Sequence, residues 1–290
     1  MDTLIYQVVS GLSTGSIYAA IAVALVMIYQ STGLVNFAQG EMAMISTYVA
    51  WLLIDVGVPY WGAFFLTVGL SFAFGFAVER VFVRPVASAP HLNILIVLIA
   101  LTLIFNSVAG WIFTYYAKVF PTPFSSQAFA SLGFISPHAL GLIGITLVVV
   151  LVLYLFFTYT PLGLVMRAAA QNPESSRLCG IRVGLMQATG WGIAAAIGAI
   201  AGILVAPLTF LEPNMMAGVI IYGFAAALLG GIDNPWGAVL GGFIVGVVEN
   251  LAGAYVVGTE LKLTVALVII VGVLIVKPTG LLGRSLVSRV

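Results

Sequence analysis

The sequence predicts an all-α, polytopic transmembrane helical bundle of eight or nine membrane segments, on two observations. First, the 290 residues are 62% hydrophobic and only 7% charged, where an ordinary globular domain carries about 25% charged residues. Second, the charges are bunched. No Asp, Glu, Lys or Arg occurs between Thr3 and Gly40, between Pro85 and Ala117, or between Val119 and Met166. A bilayer core about 30 Å thick needs roughly 20 apolar residues per helix, so several blocks of this length cannot be the core of a soluble domain. The same composition argues against a soluble enzyme, a nucleic-acid binder and a disordered tail.

Nine hydrophobic segments follow in order: 4–29, 36–54, 61–83, 92–117, 138–158, 186–206, 217–232, 236–257 and 262–276. The first lacks a basic flank and an obvious cleavage site, so it is expected to be retained as a span and not removed as a signal peptide. Segment 36–54 carries Glu41 and segment 217–232 is short and ends at Gly230-Gly231. Either is therefore a candidate for a broken or re-entrant helix. Glycines 237, 241, 242 and 246 place small residues along one helix face, which lets membrane helices approach closely. The segment 118–137 opens with two prolines and is expected to be a surface loop with an interfacial aromatic cluster. A single domain, 1–290, is the simplest organisation.

Orientation follows from the basic residues. Nine alternating crossings put Arg80, Arg84, Arg167, Arg177, Arg182, Lys277, Arg284 and Arg289 on one side, leaving Lys118 opposite and Lys262 at its border. The basic side is expected to be cytoplasmic, with the N-terminus outside (periplasmic) and the C-terminus inside. Trp51, Trp61, Trp111, Tyr115 and Tyr116 fall at expected outer ends, as an aromatic belt would.

No G-x-x-x-x-G-K-[ST] phosphate loop, no G-x-S-x-G elbow and no His/Glu pair at metal spacing occurs. No catalytic residue, metal ligand or cofactor is therefore expected. The lone Cys179 excludes an internal disulfide. The informative stretch is 159–185. Pro161 is expected to close a span, and Arg167-Ala168-Ala169-Ala170-Gln171 favours helix. Asn172 followed by Pro173 fits an N-cap with proline at the first helical position. Glu174 then suits the positive helix end, and Gly180 offers a stop. A short amphipathic helix at the inner surface suits docking to a cytoplasmic protein; an ordinary amphipathic connector is the alternative.

Several ordered motifs together resemble the Liv-type branched-chain amino acid ABC importer permeases. They are Gly11-Leu-Ser-Thr-Gly-Ser-Ile-Tyr-Ala-Ala, Gly33-Leu-Val-Asn-Phe-Ala-Gln-Gly-Glu-Met, Glu79-Arg80, Arg84-Pro85, Arg167-Ala-Ala-Ala-Gln-Asn-Pro-Glu and Gly230-Gly-Ile-Asp-Asn-Pro-Trp-Gly. The resemblance implies a multi-pass bacterial inner-membrane permease that pairs with a second, different permease subunit. Two cytoplasmic ATP-binding subunits would drive the pair, and a periplasmic solute-binding protein would feed it. It also implies that Arg167, Ala168, Ala169, Ala170, Gln171, Asn172, Pro173, Glu174, Ser175, Leu178 and Gly180 form the coupling segment. Arg167 stands where the general ABC-permease signature has Glu.

Polar residues inside apolar segments form the second candidate set: Asn36, Gln39, Glu41, Asn106 and Asn250. Intramembrane polar groups are costly and commonly face a bundle interior or a cavity. One reading makes them the lining of a solute path; the other makes them interhelical hydrogen bonds or, for Glu41, half of an ion pair. Urea, amides or carboxylates are alternative solutes. An ion-coupled secondary transporter or a channel is the alternative mechanism.

Overall fold

The computed structural model describes residues 2–124 and 136–283. Most of the proline-opened loop (125–135) and the tail with Arg284 and Arg289 lie outside the described residues. Every predicted segment is a helix: α1 (Asp2–Thr32), α2 (Gln39–Asp55), α3 (Tyr60–Val78), α4 (His91–Phe113), α5 (Pro137–Tyr159), α8 (Val183–Thr209), α9 (Ala217–Gly230), α10 (Pro235–Tyr255) and α11 (Lys262–Val276). Two short helices, α6 (Pro161–Gln171) and α7 (Pro173–Leu178), lie between α5 and α8.

Among the described residues, seven helices are long and apolar enough to cross a membrane, α11 being counted with the turn Thr259–Leu261 that precedes it. The other two are those expected to be irregular. At 1.5 Å per residue, the 17 residues of α2 rise about 25 Å and the 14 of α9 about 21 Å, both short of the hydrocarbon thickness. α2 begins late because Gly33 turns with φ 71° and the chain runs irregularly to Ala38. α3 continues through a π-helical turn, Glu79–Val83, and a tight turn, Arg84–Val86.

The residues group into two compact units: 27–123 with 149–217, and 1–26 with 124–148 and 218–290. In the first, α8 is the central helix and packs on α2, α3 and α6. Its small residues make this possible. A methyl added at Gly198 would meet the Gln39 amide at 2.5 Å, and one at Gly202 would meet the Ala43 carbonyl at 2.8 Å. In the second unit, α1 and α10 meet backbone to backbone. A methyl at Gly11 would lie 2.7 Å from Val247 Cα, and one at Gly15 would lie 2.9 Å from the Gly242 carbonyl. Gly246 faces Gly15 in the same seam.

Outward, α4, α5 and α11 expose large apolar side chains such as Leu103, Leu151, Val152 and Ile275, as a hydrocarbon solvent requires. Replacing Gly246 by Leu forces α1 and α10 apart, because the obstacle is main chain and cannot move aside. We expect a loss of about 3 kcal/mol, the upper end for overpacked interiors. It should show as lower folded yield and thermal midpoint in detergent, with Gly69→Leu, whose Cβ position is open, as the unaffected control.

Candidate functional site: a capped two-helix segment and buried polar clusters

The 160–181 stretch is built from local cap chemistry. Thr160 caps α6, its Oγ1 accepting from the Gly163 amide at 3.0 Å. Pro161 therefore opens this helix instead of closing the span before it, because proline's fixed φ and missing N–H suit the first helical position. Gly163 is needed for close approach, since a methyl there would lie 2.7 Å from Phe157 Cα. Asn172 ends α6 and caps α7, with Oδ1 accepting from the Ser175 amide at 2.9 Å. Gly180 turns the chain away with φ 80°.

α6 is amphipathic. Gly163, Met166 and Ala169 turn inward, and Met166 and Ala169 join Val183 and Met186 in a buried cluster flanked by Phe156, Phe157 and Ile193. Arg167, Ala170, Gln171, Asn172, Pro173, Glu174, Ser175, Leu178 and Gly180 remain exposed, and Ala168 is intermediate. Leu178 is 90% exposed, an apolar side chain standing in solvent at the end of α7. The segment thus has a seated face and a free face, and Ala169 belongs to the seated one.

The intramembrane polar residues fall into separate clusters. Asn36 and Gln39 are fully buried at the start of α2. Asn36 Oδ1 accepts from the Ala38 amide at 3.0 Å and its Nδ2 donates to Gln39 Oε1 at 3.3 Å. Gln39 Nε2 donates to the Ala194 carbonyl of α8 at 2.9 Å. Glu41, two residues on, meets Asn106 of α4, whose Nδ2 lies 3.3 Å from Glu41 Oε2. The same Nδ2 lies 3.0 Å from the Pro213 carbonyl and 3.2 Å from Asn214 Oδ1. Tyr115 donates to Asn106 Oδ1 at 3.4 Å.

The segment that brings Pro213 and Asn214 is held at its base. Lys118 and Leu211 exchange both backbone hydrogen bonds at 2.9 Å, so residue 118 lies in a short ladder where the sequence suggested only loop. The Lys118 ammonium sits 4.2 Å from the Trp51 ring centroid and 5.5 Å from that of Phe113, and Tyr48 stacks on Phe113 at 4.2 Å. Each chain enters this pairing through a residue with positive φ, Thr114 (64°) and Phe210 (61°). Such conformations cost about 1–3 kcal/mol each outside glycine and persist only where surrounding contacts enforce them.

Asn250 lies in the other unit. Its Nδ2 donates to the Gln7 carbonyl at 2.7 Å and to Gln7 Oε1 at 2.8 Å, and Lys262 donates to its Oδ1 at 3.0 Å. Beside it, Glu249 accepts from Tyr18 at 2.8 Å and pairs with Lys262 at 3.9 Å. Tyr222 stacks on Tyr18 at 4.6 Å. Sequence reasoning did not place Gln7, Tyr18, Lys262, Pro213, Asn214, Tyr115 or Lys118 in the candidate set. The run Glu212-Pro213-Asn214 beside apolar helices was the one usable signal. No group of three His, Cys, Asp or Glu side chains able to hold a metal occurs among the described residues.

The chain is a polytopic helical bundle with a capped, half-seated segment between two long helices. Residues 7–274 match the family described as "Branched-chain amino acid transport system / permease component", and the chain belongs to that family. It is 33% identical to the high-affinity branched-chain amino acid transport system permease protein LivH of Escherichia coli, over 98% of this chain and 97% of that one. Identity and coverage are the same for BraD of Pseudomonas aeruginosa. The probable LivH permease of Methanocaldococcus jannaschii is 28% identical over 91% of this chain and 87% of that protein. Among solved structures, PsaBC from Streptococcus pneumoniae in complex with Fab matches with a TM-score of 0.51 at 11% identity, covering 93% of this chain and 91% of that chain, a likeness of fold. The protein is a multi-pass membrane permease of the ABC transport class.

Two substitutions test the geometry. Ala169→Asp buries an unpaired charge and should cost at least about 3 kcal/mol, whereas exposed Ala170→Asp should stay within about 0.5 kcal/mol; thermal unfolding in detergent separates them. Lys262→Met leaves Glu249 without its cation and should cost about 2–3 kcal/mol, the ammonium being partly exposed. Adding Glu249→Gln should recover most of that loss.

Proposed function

We propose that the chain is the membrane subunit of an importer for branched-chain amino acids or similar small amphiphilic solutes. Both units would work as one permease domain, 1–290, in a bacterial inner membrane, with the N-terminus outside and the basic loops inside. Two cytoplasmic ATP-binding subunits would supply the drive, and a periplasmic binding protein would deliver the solute. A second permease subunit would cover part of the apolar outer surface, with lipid covering the rest.

The observation that carries this reading is the α6–α7 segment. A docking element must transmit force, which requires one face fixed to the bundle and one face free. Met166 and Ala169 fix α6 against the start of α8, while Arg167, Ala170, Gln171, Glu174 and Leu178 stand free. We assign the free face the contact with an ATPase subunit, with Leu178 as the apolar knob that enters a groove on the partner. Asn172 and Pro173 set the angle between the two short helices, and Gly180 returns the chain to α8. Asn36, Gln39, Glu41, Asn106 and Asn250 are proposed to border the solute route. Of these, Glu41 and Asn106 lie beside an exposed side chain, Asn214; Asn36 and Gln39 are fully buried supports.

Purification of the tagged chain from its native membrane in mild detergent should bring an ATPase and a second permease with it. A chain that comes alone, and transports after reconstitution without ATP, would overturn the importer reading. Leu178→Asp should fold with a wild-type thermal midpoint yet lower coupled uptake by at least about tenfold, the effect of losing one hot-spot contact. Unchanged uptake in that variant would remove α7 from the coupling contact.

A further inference from the structure

Of the three buried carboxylates, Glu41, Glu79 and Glu249, the first and last are provided for in different ways. Glu249 is 5% exposed and has Lys262, whose ammonium also donates to the Asn250 carbonyl oxygen at 3.0 Å. Glu41 is 8% exposed, and among the described residues no lysine or arginine lies within ion-pairing distance of it. An amide nitrogen, Asn106 Nδ2, stands in the corresponding place.

The surroundings of that nitrogen do not suit an amide. Three acceptors converge on it: Glu41 Oε2 at 3.3 Å, the Pro213 carbonyl at 3.0 Å and Asn214 Oδ1 at 3.2 Å. A carboxamide has two N–H groups and no charge. Two protons are therefore shared among three acceptors, and when Glu41 is ionised no cation among the described residues lies close enough to pair with it, in a segment where a charge is costly. A primary ammonium has three donors and the opposite charge. It would satisfy every acceptor and neutralise Glu41, with a carboxylate and an amide oxygen as partners, as Lys262 already has in the other unit. Lys118, the one lysine in the same unit, is held against Trp51 and Phe113 and bound in the ladder with Leu211.

We propose that the position of Asn106 Nδ2 is a primary-ammonium subsite on the solute's route, with Glu41, the Pro213 carbonyl and Asn214 as its ligands and Asn106 as the placeholder the solute displaces. The Lys118–Leu211 ladder, two residues before Pro213, keeps the two loop ligands in register. Tyr115, donating to Asn106 Oδ1, steers the amide. The proposal rests on the transport reading above, with Glu41 and Asn106 bordering the route.

The test uses the full-length chain in lipid nanodiscs, with the subunits that co-purify, titrated calorimetrically with two probes. Isoamylamine keeps the ammonium and a branched alkyl tail; isocaproate has the carboxylate in its place. Isoamylamine should bind saturably and isocaproate should not. Glu41→Gln and Asn214→Ala should each weaken the amine by at least about tenfold, which is about 1.4 kcal/mol. Asn106→Ala should bind it as well as or better than the wild type, an outcome a merely structural asparagine would not give. Absence of saturable amine binding, equal binding of isocaproate, or undiminished binding in both ligand variants overturns the subsite. Asn214 is exposed, so its variant serves if Glu41→Gln fails to fold. Leucine uptake by the wild-type assembly is measured alongside. Uptake without amine binding sinks the subsite and leaves the importer, whereas amine binding without leucine uptake keeps the subsite and sinks the solute assignment.

Discussion

Removal from water of both backbone and polar side chains is the constraint on which this architecture depends. Within hydrocarbon, a helix satisfies its own backbone, but a buried side-chain donor must find an acceptor on a neighbour. That is possible only where helices come unusually close. Gln39 reaches the Ala194 carbonyl because Gly198 leaves room for its amide, and the same stripe on α8 receives Ala43 and Thr47. Glycine in these helices is thus a condition for placing polar groups, not a weakness in the helix. Its intrinsic cost of about 1 kcal/mol in a water-exposed helix is offset here by packing that no larger residue allows.

The same constraint explains where irregular backbone occurs. α2 starts late, and the backbone between Gly33 and Ala38 is irregular, so Asn36 turns its side chain onto the Ala38 amide to replace one of the missing acceptors. The chain after α8 leaves the helix at strained Phe210 and is tied down at once by the Leu211–Lys118 ladder. Asn106 then takes up the Pro213 carbonyl. The strain at Thr114 and Phe210 and the ladder between their segments belong together, since neither positive-φ residue would persist without the contacts that follow it.

Helix number and type were legible in the sequence because each segment's signal is internal: a run of apolar residues bounded by Gly, Pro or a charge. The cap of α7 was legible for the same reason, since Asn172 and Pro173 act on amides within three residues. Thr160 and Pro161 carried an equivalent signal, but a proline after a long apolar run reads as a stop as readily as a start. Partners distant in the chain were not legible. Asn106 and Pro213 are 107 residues apart, and nothing in either local pattern names the other. Glu249 and Lys262 are close in sequence, yet their pairing depends on how α11 folds back on α10. The Lys118–Leu211 ladder lies between two stretches that each look like plain loop.

A division of labour follows from these placements. Interactions that hold the bundle together are short-ranged, buried and made largely by small or neutral groups, which is why they leave so few charges in the sequence. Most of the remaining charges stand at surfaces or in pairs, and α6–α7 collects Arg167, Glu174 and Arg177 on its exposed side. Glu41 fits neither group. It is buried, it carries formal charge, and its side-chain partner among the described residues is an amide that also serves two other acceptors. A permease whose walls were fully satisfied would offer a passing polar solute nothing in exchange for its hydration shell. In the proposed subsite, a carboxylate beside a displaceable amide would supply that exchange, while α2 is held to α8 by the glycine-mediated contacts and not by this cluster.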